Sequence, residues 1–191
     1  SWLLDGKARD QFVTCSGNQT NIFYNNRDSA PEAVYSRANW TDGSVKWSPL
    51  GLFLCTFHAQ GIALWGGVSW NKLSRFPHSN VKGAFFSPCE QFIVTQSAFN
   101  PSNPMDPNVL IWQVQTGKVV RGFVVEELTE EDLPQLEGNC VIQWSFDDSH
   151  ASRVLKDHVA IYSVAEGFAL INDKKGLQVA AVREISWSPV D

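Results

Sequence analysis

The stretch that decides the fold is Val45–Trp65, with the sequence VKWSPLGLFLCTFHAQGIALW. It opens with Val45 and Trp47 on alternate positions, followed by a Ser-Pro pair. Alternating apolar residues are typical of a short strand with one buried face, and proline ends such a strand because it cannot donate a ladder hydrogen bond. The stretch closes with the apolar run Ile62–Trp65, which predicts a second, more deeply buried strand.

The opening of this stretch recurs along the chain. It returns as Ala84–Glu90 (AFFSPCE), Ile142–Asp148 (IQWSFDD) and Ile185–Asp191 (ISWSPVD). The aromatic residues of the four openings are separated by 39, 58 and 43 positions; they are Trp47, Phe86, Trp144 and Trp187. A period near 40 residues built from strands is typical of propeller blades, each of which hides its sheet face only by stacking on its neighbours.

The closing run recurs as well, as Asn21–Tyr24, Val109–Trp112 and Val159–Tyr162. Opening and closing aromatics are 18 residues apart in two copies and 26 apart in the copy that contains the polar segment Asn100–Pro107. Prolines in that segment exclude it from a ladder and predict a protruding loop. The sequence therefore predicts an all-β fold, a β-propeller of WD-repeat type with four-stranded antiparallel blades in a partial ring. The predicted blade-core residues are Trp47, Trp65, Phe86, Trp112, Trp144, Tyr162 and Trp187.

The repeat also predicts the domain organisation. Residues 1–191 are expected to form part of one propeller domain, with four to five blades. The predicted blades span roughly 1–40, 41–76, 77–138 and 139–182, and 183–191 would begin the next. Spacing alone is compatible with a closed four-bladed ring and with an arc of a larger one. Both ends fall inside the repeat pattern, so we expect the chain to be a piece of a longer protein.

Composition narrows the class of protein. Hydrophobic residues make up 43% of the 191 positions, enough for a sizeable core, and eight Trp and twelve Phe suit packed sheets. The net charge of −5 argues against a surface built throughout for nucleic acid, but permits a local basic patch. The four cysteines lack metal-type spacing and favour reduced thiols in a cytoplasmic protein.

Candidate catalytic groups all have structural explanations. Asp147 and Asp148 occupy the turn position of the repeat, and His78, just before an opening strand, is predicted to tie strands together. His150 and His158 lie in polar segments and are expected to be solvated. The acidic stretch 126–132 is predicted to be a solvated or partner-facing segment. No nucleophile elbow, phosphate loop or zinc spacing is present, so neither catalysis nor a cofactor nor a metal is predicted.

Basic residues recur on predicted outer strands and turns. If they line one rim, they would meet RNA phosphates even on an acidic protein. The alternative is that they are scattered charges that prevent pairing between sheet edges. The candidates are Lys72, Arg75, Lys118, Arg121, Lys174 and Lys175.

The stretch Thr56–Gly67 (TFHAQGIALWGG), together with Val34–Thr41, Phe86–Glu90 and Asp173–Lys175, resembles the WD-repeat-like propeller of the b subunit of eukaryotic translation initiation factor three. The resemblance implies a nine-bladed ring of which this chain would be about half. It also implies a cytoplasmic, non-catalytic scaffold that contacts the small ribosomal subunit, its rRNA and proteins. The implied partners are the a, g and i subunits of the factor, which dock largely outside the propeller.

Two other functions are compatible with a propeller. The first is a WD-type protein-interaction module of another cytosolic assembly. The second is an enzyme with its site at the central mouth of the ring, which requires acids, histidines or serines that converge on inner loops. The sequence offers only the turn pair Asp147-Asp148 and scattered histidines for that role.

Overall fold

Sixteen short strands carry the regular secondary structure of the residues that the computed structural model describes, 5–131, 139–171 and 176–189. The strands are β1 (Gln11–Ser16), β2 (Gln19–Tyr24), β3 (Glu32–Ala38), β4 (Val45–Trp47), β5 (Leu54–His58), β6 (Gly61–Gly66), β7 (Asn71–Pro77), β8 (Gly83–Phe86), β9 (Phe92–Gln96), β10 (Val109–Gln113), β11 (Val119–Phe123), β12 (Gln143–Trp144), β13 (His150–Leu155), β14 (His158–Ser163), β15 (Ala169–Leu170) and β16 (Leu177–Gln178). These ranges include no helix, and so none with the length and apolarity that crossing a membrane requires.

The strands form four antiparallel sheets in which consecutive strands pair. The sheets have the orders β1-β2-β3, β4-β5-β6-β7, β8-β9-β10-β11 and β12-β13-β14-β15, with β16 also paired to β14. The predicted all-β fold with four-stranded antiparallel units is confirmed. The predicted boundary at 76/77 falls one residue before the end of β7 and the others fall outside the strands, and the blade assignment itself stays a prediction.

The recurring serine of the opening motif explains why the first two strands of each full sheet meet. Ser48 Oγ accepts a hydrogen bond from the backbone N–H of Phe53 at 2.9 Å. Ser87 Oγ accepts one from Phe92 at 3.0 Å, and Ser145 Oγ accepts one at 2.9 Å from the residue five positions later. A hydroxyl in this position closes a tight turn by satisfying a buried backbone donor.

The residue three positions after each of these serines has a left-handed backbone conformation. Gly51, Glu90 and Asp148 have φ values of 73°, 59° and 61°. Glycine adopts this region without strain, whereas acidic side chains adopt it at a modest cost and need a compensating contact. The turn geometry is therefore repeated even where the residue type changes.

The chain divides into two compact units, residues 1–81 and 82–191. The first unit packs β1–β3 against β4–β7 around a core that contains Ile22, Leu54 and Trp65. Indole rings dominate this core: the centroids of Trp40 and Trp65 lie 5.4 Å apart with an edge-to-face angle of 75°. Aromatic pairs of this geometry stabilise a core beyond the area that they bury.

The second unit packs β8–β11 against β12–β15. Phe92 and Trp144 stack with centroids 5.3 Å apart and an interplanar angle of 8°. Leu128, in the acidic stretch, is 2% exposed and joins this core. The described part of the acidic stretch, 126–131, consists of turns and irregular backbone, and residues 132–138 lie outside the described residues.

The predicted core aromatics differ in their burial. Trp65, Trp112, Trp144 and Tyr162 are buried, whereas Trp47, Phe86 and Trp187 are half-buried. Two of the indoles donate to a threonine of the preceding strand: Trp65 Nε1 to Thr56 Oγ1 at 2.7 Å and Trp112 Nε1 to Thr95 Oγ1 at 2.8 Å.

Residues 185–187 pair with none of the described strands, and the expectation that 183–191 begins the next blade stays a prediction. The Trp187 indole instead stacks on His150 at 6.0 Å and donates to Ser152 Oγ at 2.8 Å. His150 and His158 are not solvated as expected. Both lie half-buried in paired strands, β13 and β14.

Two short strands of the last sheet, β15 and β16, both pair with β14. Along β14 the pairing moves three residues, from Tyr162 to Val159, while the outer strand advances seven, from Leu170 to Leu177. Lys174 and Lys175 lie outside the described residues.

Candidate functional site

The predicted basic residues lie on two outer strands, one in each unit. Lys72 and Arg75 are exposed on β7 of the first unit. Arg121 is exposed on β11 of the second unit, and Lys118 is exposed just before that strand. The structure thus gives each unit its own pair of cations.

An arginine that sequence reasoning missed joins Arg121. The guanidinium carbon of Arg121 lies 5.4 Å from the centroid of the Phe123 ring, and that of Arg153 lies 5.6 Å from the same centroid. Phe123 is buried and packs against the Tyr162 ring at 5.3 Å. We call Arg121 and Arg153 the arginine pair. Its members come from different sheets, since Arg121 lies on β11 and Arg153 on β13.

The positive charges of both arginines also act on the hydroxyl of Tyr162. Burial raises the pKa of the Tyr162 hydroxyl above its usual value, while the positive charges of Arg153 and Arg121 act in the opposite direction. Among the described residues, no carboxylate lies within 4.0 Å of either guanidinium, and the ion pairs of Arg9 and His58 lie in the first unit. The arginine pair is therefore a concentration of positive charge without a counter-ion in the described part of the chain.

Asp148, predicted as a turn residue, has a second role. Its carboxylate is 2% exposed and accepts hydrogen bonds from Ser87 Oγ at 2.5 Å, from Cys89 N at 3.0 Å and from Gln91 N at 3.4 Å. These donors belong to the β8–β9 turn, so the carboxylate ties β12–β16 to β8–β11. Both oxygens accept hydrogen bonds from this turn, so the observed contacts of Asp148 are structural.

Asp147 is a turn residue, as the sequence predicted for both aspartates. Its Oδ1 accepts from Ser149 and Ser145 within its own turn, at 2.7 Å from each hydroxyl. The Ser149 hydroxyl is the main cause that lowers the pKa of the Asp147 carboxyl to about 2, with the Ser149 N–H and the Ser145 hydroxyl adding to it.

A polar chain in the first unit resembles a catalytic arrangement but is not one. Thr56 Oγ1 and His58 Nε2 are 2.9 Å apart, and His58 Nδ1 lies 3.7 Å from Asp42 Oδ2. Thr56 is fully buried and its hydroxyl accepts from the Trp65 indole. A nucleophile must be reachable by substrate, so this chain is a structural link from the core to the surface.

Burial also changes the pKa values of two other side chains that could act as a base or a nucleophile. Burial lowers the pKa of His78 to about 4, so its imidazole is neutral at pH 7, and raises the pKa of the Cys55 thiol to about 12. The four cysteines form no disulfide. Within the ranges that the structure describes, no group of three or more His, Cys, Asp or Glu is placed to hold a metal ion.

Known proteins resemble the chain in both sequence and structure. Residues 5–130 match the family model described as Eukaryotic translation initiation factor eIF2A. The chain belongs to the eIF2A family. Its curated relatives include the B subunit of eukaryotic translation initiation factor 3 from Nicotiana tabacum, 42% identical over the whole chain, and the same protein from Xenopus laevis, 37% identical over 99% of it. The resemblance to this component of the factor is confirmed. The chain spans only 28% and 26% of these two relatives.

Solved structures agree on the fold. The structure titled "Crystal structure of the eukaryotic initiation factor" has a TM-score of 0.72 and 21% identity, and the match covers 92% of this chain and 42% of that one. Hsv2 from Kluyvelomyces marxianus has a TM-score of 0.52 and 16% identity, over 82% of this chain and 47% of its own. At these identities the likeness concerns the fold alone, and the predicted propeller class is confirmed.

Proposed function

We propose that the chain is part of a non-catalytic scaffold subunit of translation initiation factor three. In this role it binds the small ribosomal subunit and other subunits of the factor, among them a, g and i, during initiation in the cytoplasm. The observation that carries the proposal is the 42% identity, sustained over the whole chain, to a protein named as the B subunit of that factor.

The structure supports a scaffold in two ways. The apolar faces of the sheets are buried against each other within each unit, which leaves strand edges and turns for docking. The polar groups that chemistry would need are engaged in structural bonds, as the carboxylate of Asp148 and the hydroxyl of Thr56 illustrate.

The exposed cations are the candidate contacts to the ribosome. Lys72 and Arg75 extend from one outer strand, and Lys118 and Arg121 from another. Lysine and arginine on exposed edges are suited to phosphates, because each contact releases counter-ions from the nucleic acid. Lys174 and Lys175 stay candidates on sequence grounds.

Co-sedimentation of the full-length protein with small ribosomal subunits tests the proposal. We expect the unaltered protein to co-sediment, and a variant with Lys72, Arg75, Lys118 and Arg121 changed to Glu to lose most of this association. A control variant with the same change of charge carries Glu at four other exposed positions, Lys7, Arg27, Lys82 and Lys156. Equal loss in both variants would clear the four candidates, and failure of the unaltered protein to co-sediment would refute the proposed function.

A further inference from the structure

The arginine pair is a built site rather than a chance meeting of two long side chains. Arg121 and Arg153 come from different sheets and approach one buried ring, that of Phe123, at 5.4 and 5.6 Å. A guanidinium that lies over an aromatic ring is attracted to it, so less conformational freedom is lost when its N–H groups bind a ligand. The fold therefore preorganises both side chains.

The arginine pair brings two positive charges to one ring without a neighbouring carboxylate among the described residues. Both guanidiniums carry a positive charge and lie within 5.6 Å of the same ring centroid, so they repel each other. Among the described residues no carboxylate lies within 4.0 Å of either arginine. An anion from outside the chain would relieve this repulsion, and a guanidinium over a ring still presents a fork of N–H donors that matches two oxygens of a phosphate.

The surroundings favour a polyanion over a single phosphate group. Lys118 is also exposed and lies three residues before Arg121, which corresponds to roughly 10 Å along an extended strand. Lys118 and Arg121 along one strand, with Arg153 at the same ring as Arg121, suit a backbone that presents phosphates repeatedly. The Phe123 ring is buried and so cannot stack on a base, which predicts backbone contacts that do not depend on sequence.

We propose that Arg121 and Arg153 together grip a phosphate of an RNA backbone, with Lys118 on the neighbouring phosphates. The site rests on the proposed function, since it would supply one of the contacts to ribosomal RNA. It also adds Arg153, a strand residue of β13, to the candidate interface.

The test measures RNA binding by the full-length protein. The probe is a fluorescently labelled single strand of 20 uridines, followed by anisotropy at several salt concentrations. The variant R121Q/R153Q should bind about tenfold more weakly, and the slope of log K against log salt should fall by about 0.7, since the two arginines share one phosphate and each lost phosphate contact to a single strand contributes about 0.7. The control K7Q/R27Q removes two exposed charges of the first unit and should change neither quantity.

A second variant keeps the test decisive if R121Q/R153Q unfolds. R121K/R153K retains both charges but loses the planar fork. We expect it to keep the salt slope of the unaltered protein and to bind about threefold more weakly. Unchanged affinity in R121Q/R153Q would overturn the site while leaving ribosome association, measured in parallel, intact. Preference for a phosphorylated peptide over the RNA strand, with the same dependence on the two arginines, would also overturn it.

Discussion

The buried carboxylate of Asp148 offers a sharp test of how the sheets of the second unit hold together. The change Asp148→Ala removes an acceptor shared by Ser87 Oγ, Cys89 N and Gln91 N. Ser87 is fully buried and its hydroxyl would lose this charged acceptor, whereas the two backbone donors are partly buried and regain contact with water. A hydrogen bond to a charged group contributes about 1.5–3 kcal/mol, so we expect the free energy of unfolding to fall by about 3 kcal/mol in total.

Urea unfolding of the chain, followed by tryptophan fluorescence, measures this loss. With an m value of about 3 kcal/mol/M, the midpoint of the second unit should move down by about 1 M. Hydrogen exchange at the amides of Cys89 and Gln91 should accelerate, because those donors lose their acceptor. The matched control is Asp147→Ala, in which an exposed carboxylate with contacts only inside its own turn is removed. A midpoint that is the same for Asp148→Ala and for the unaltered chain, or a larger loss in the Asp147 variant, would refute the reasoning.

Three further predictions concern the first unit. Thr56→Val leaves the Trp65 indole N–H without its acceptor and should cost about 1–3 kcal/mol in urea unfolding, whereas Thr56→Ser should cost less than half as much. Gly61→Ala drives a Cβ into a backbone oxygen of β7 at a φ of 138°, so the variant should be destabilised by more than about 3 kcal/mol or fail to fold; Gly17→Ala, with open space around it, is the control and should cost about 1 kcal/mol. Burial lowers the pKa of His78 from 6.5 to about 4, so as the pH falls the unfolded chain binds a proton at this residue before the folded chain does. The free energy of unfolding should therefore fall as the pH drops from 6.5 towards 4. The contribution of His78 to the slope is at most about 1.4 kcal/mol per pH unit and should disappear in His78→Gln.

The repeated elements could be predicted because their causes are local. Serine at each opening closes its own turn through Ser48, Ser87 and Ser145, all within five residues of the donor. The closing strands are apolar and end in an aromatic ring, and both properties are visible in a short window of sequence. Pattern and packing agree at these positions.

The residues that the sequence did not reveal act over long distances. Asp148 bonds to donors 57 to 61 positions away, and Arg153 reaches the ring of a residue 30 positions earlier. Such contacts depend on which sheets stack, which a single sequence does not encode locally. The segment His150–Leu155 (HASRVL) has too weak an alternation to predict a strand, and recognising β13 there would have placed Arg153 in a sheet next to Tyr162. At Trp187 the sequence carries the opening motif, but none of the described strands pairs with its segment.

The most direct measurement is purification of the full-length protein from the cells that make it, under mild salt, with mass spectrometry of whatever accompanies it. The account predicts that the a, g and i subunits of translation initiation factor three co-purify in near-equal amounts, together with proteins of the small ribosomal subunit. Recovery of a different stable assembly that lacks these subunits would contradict the account.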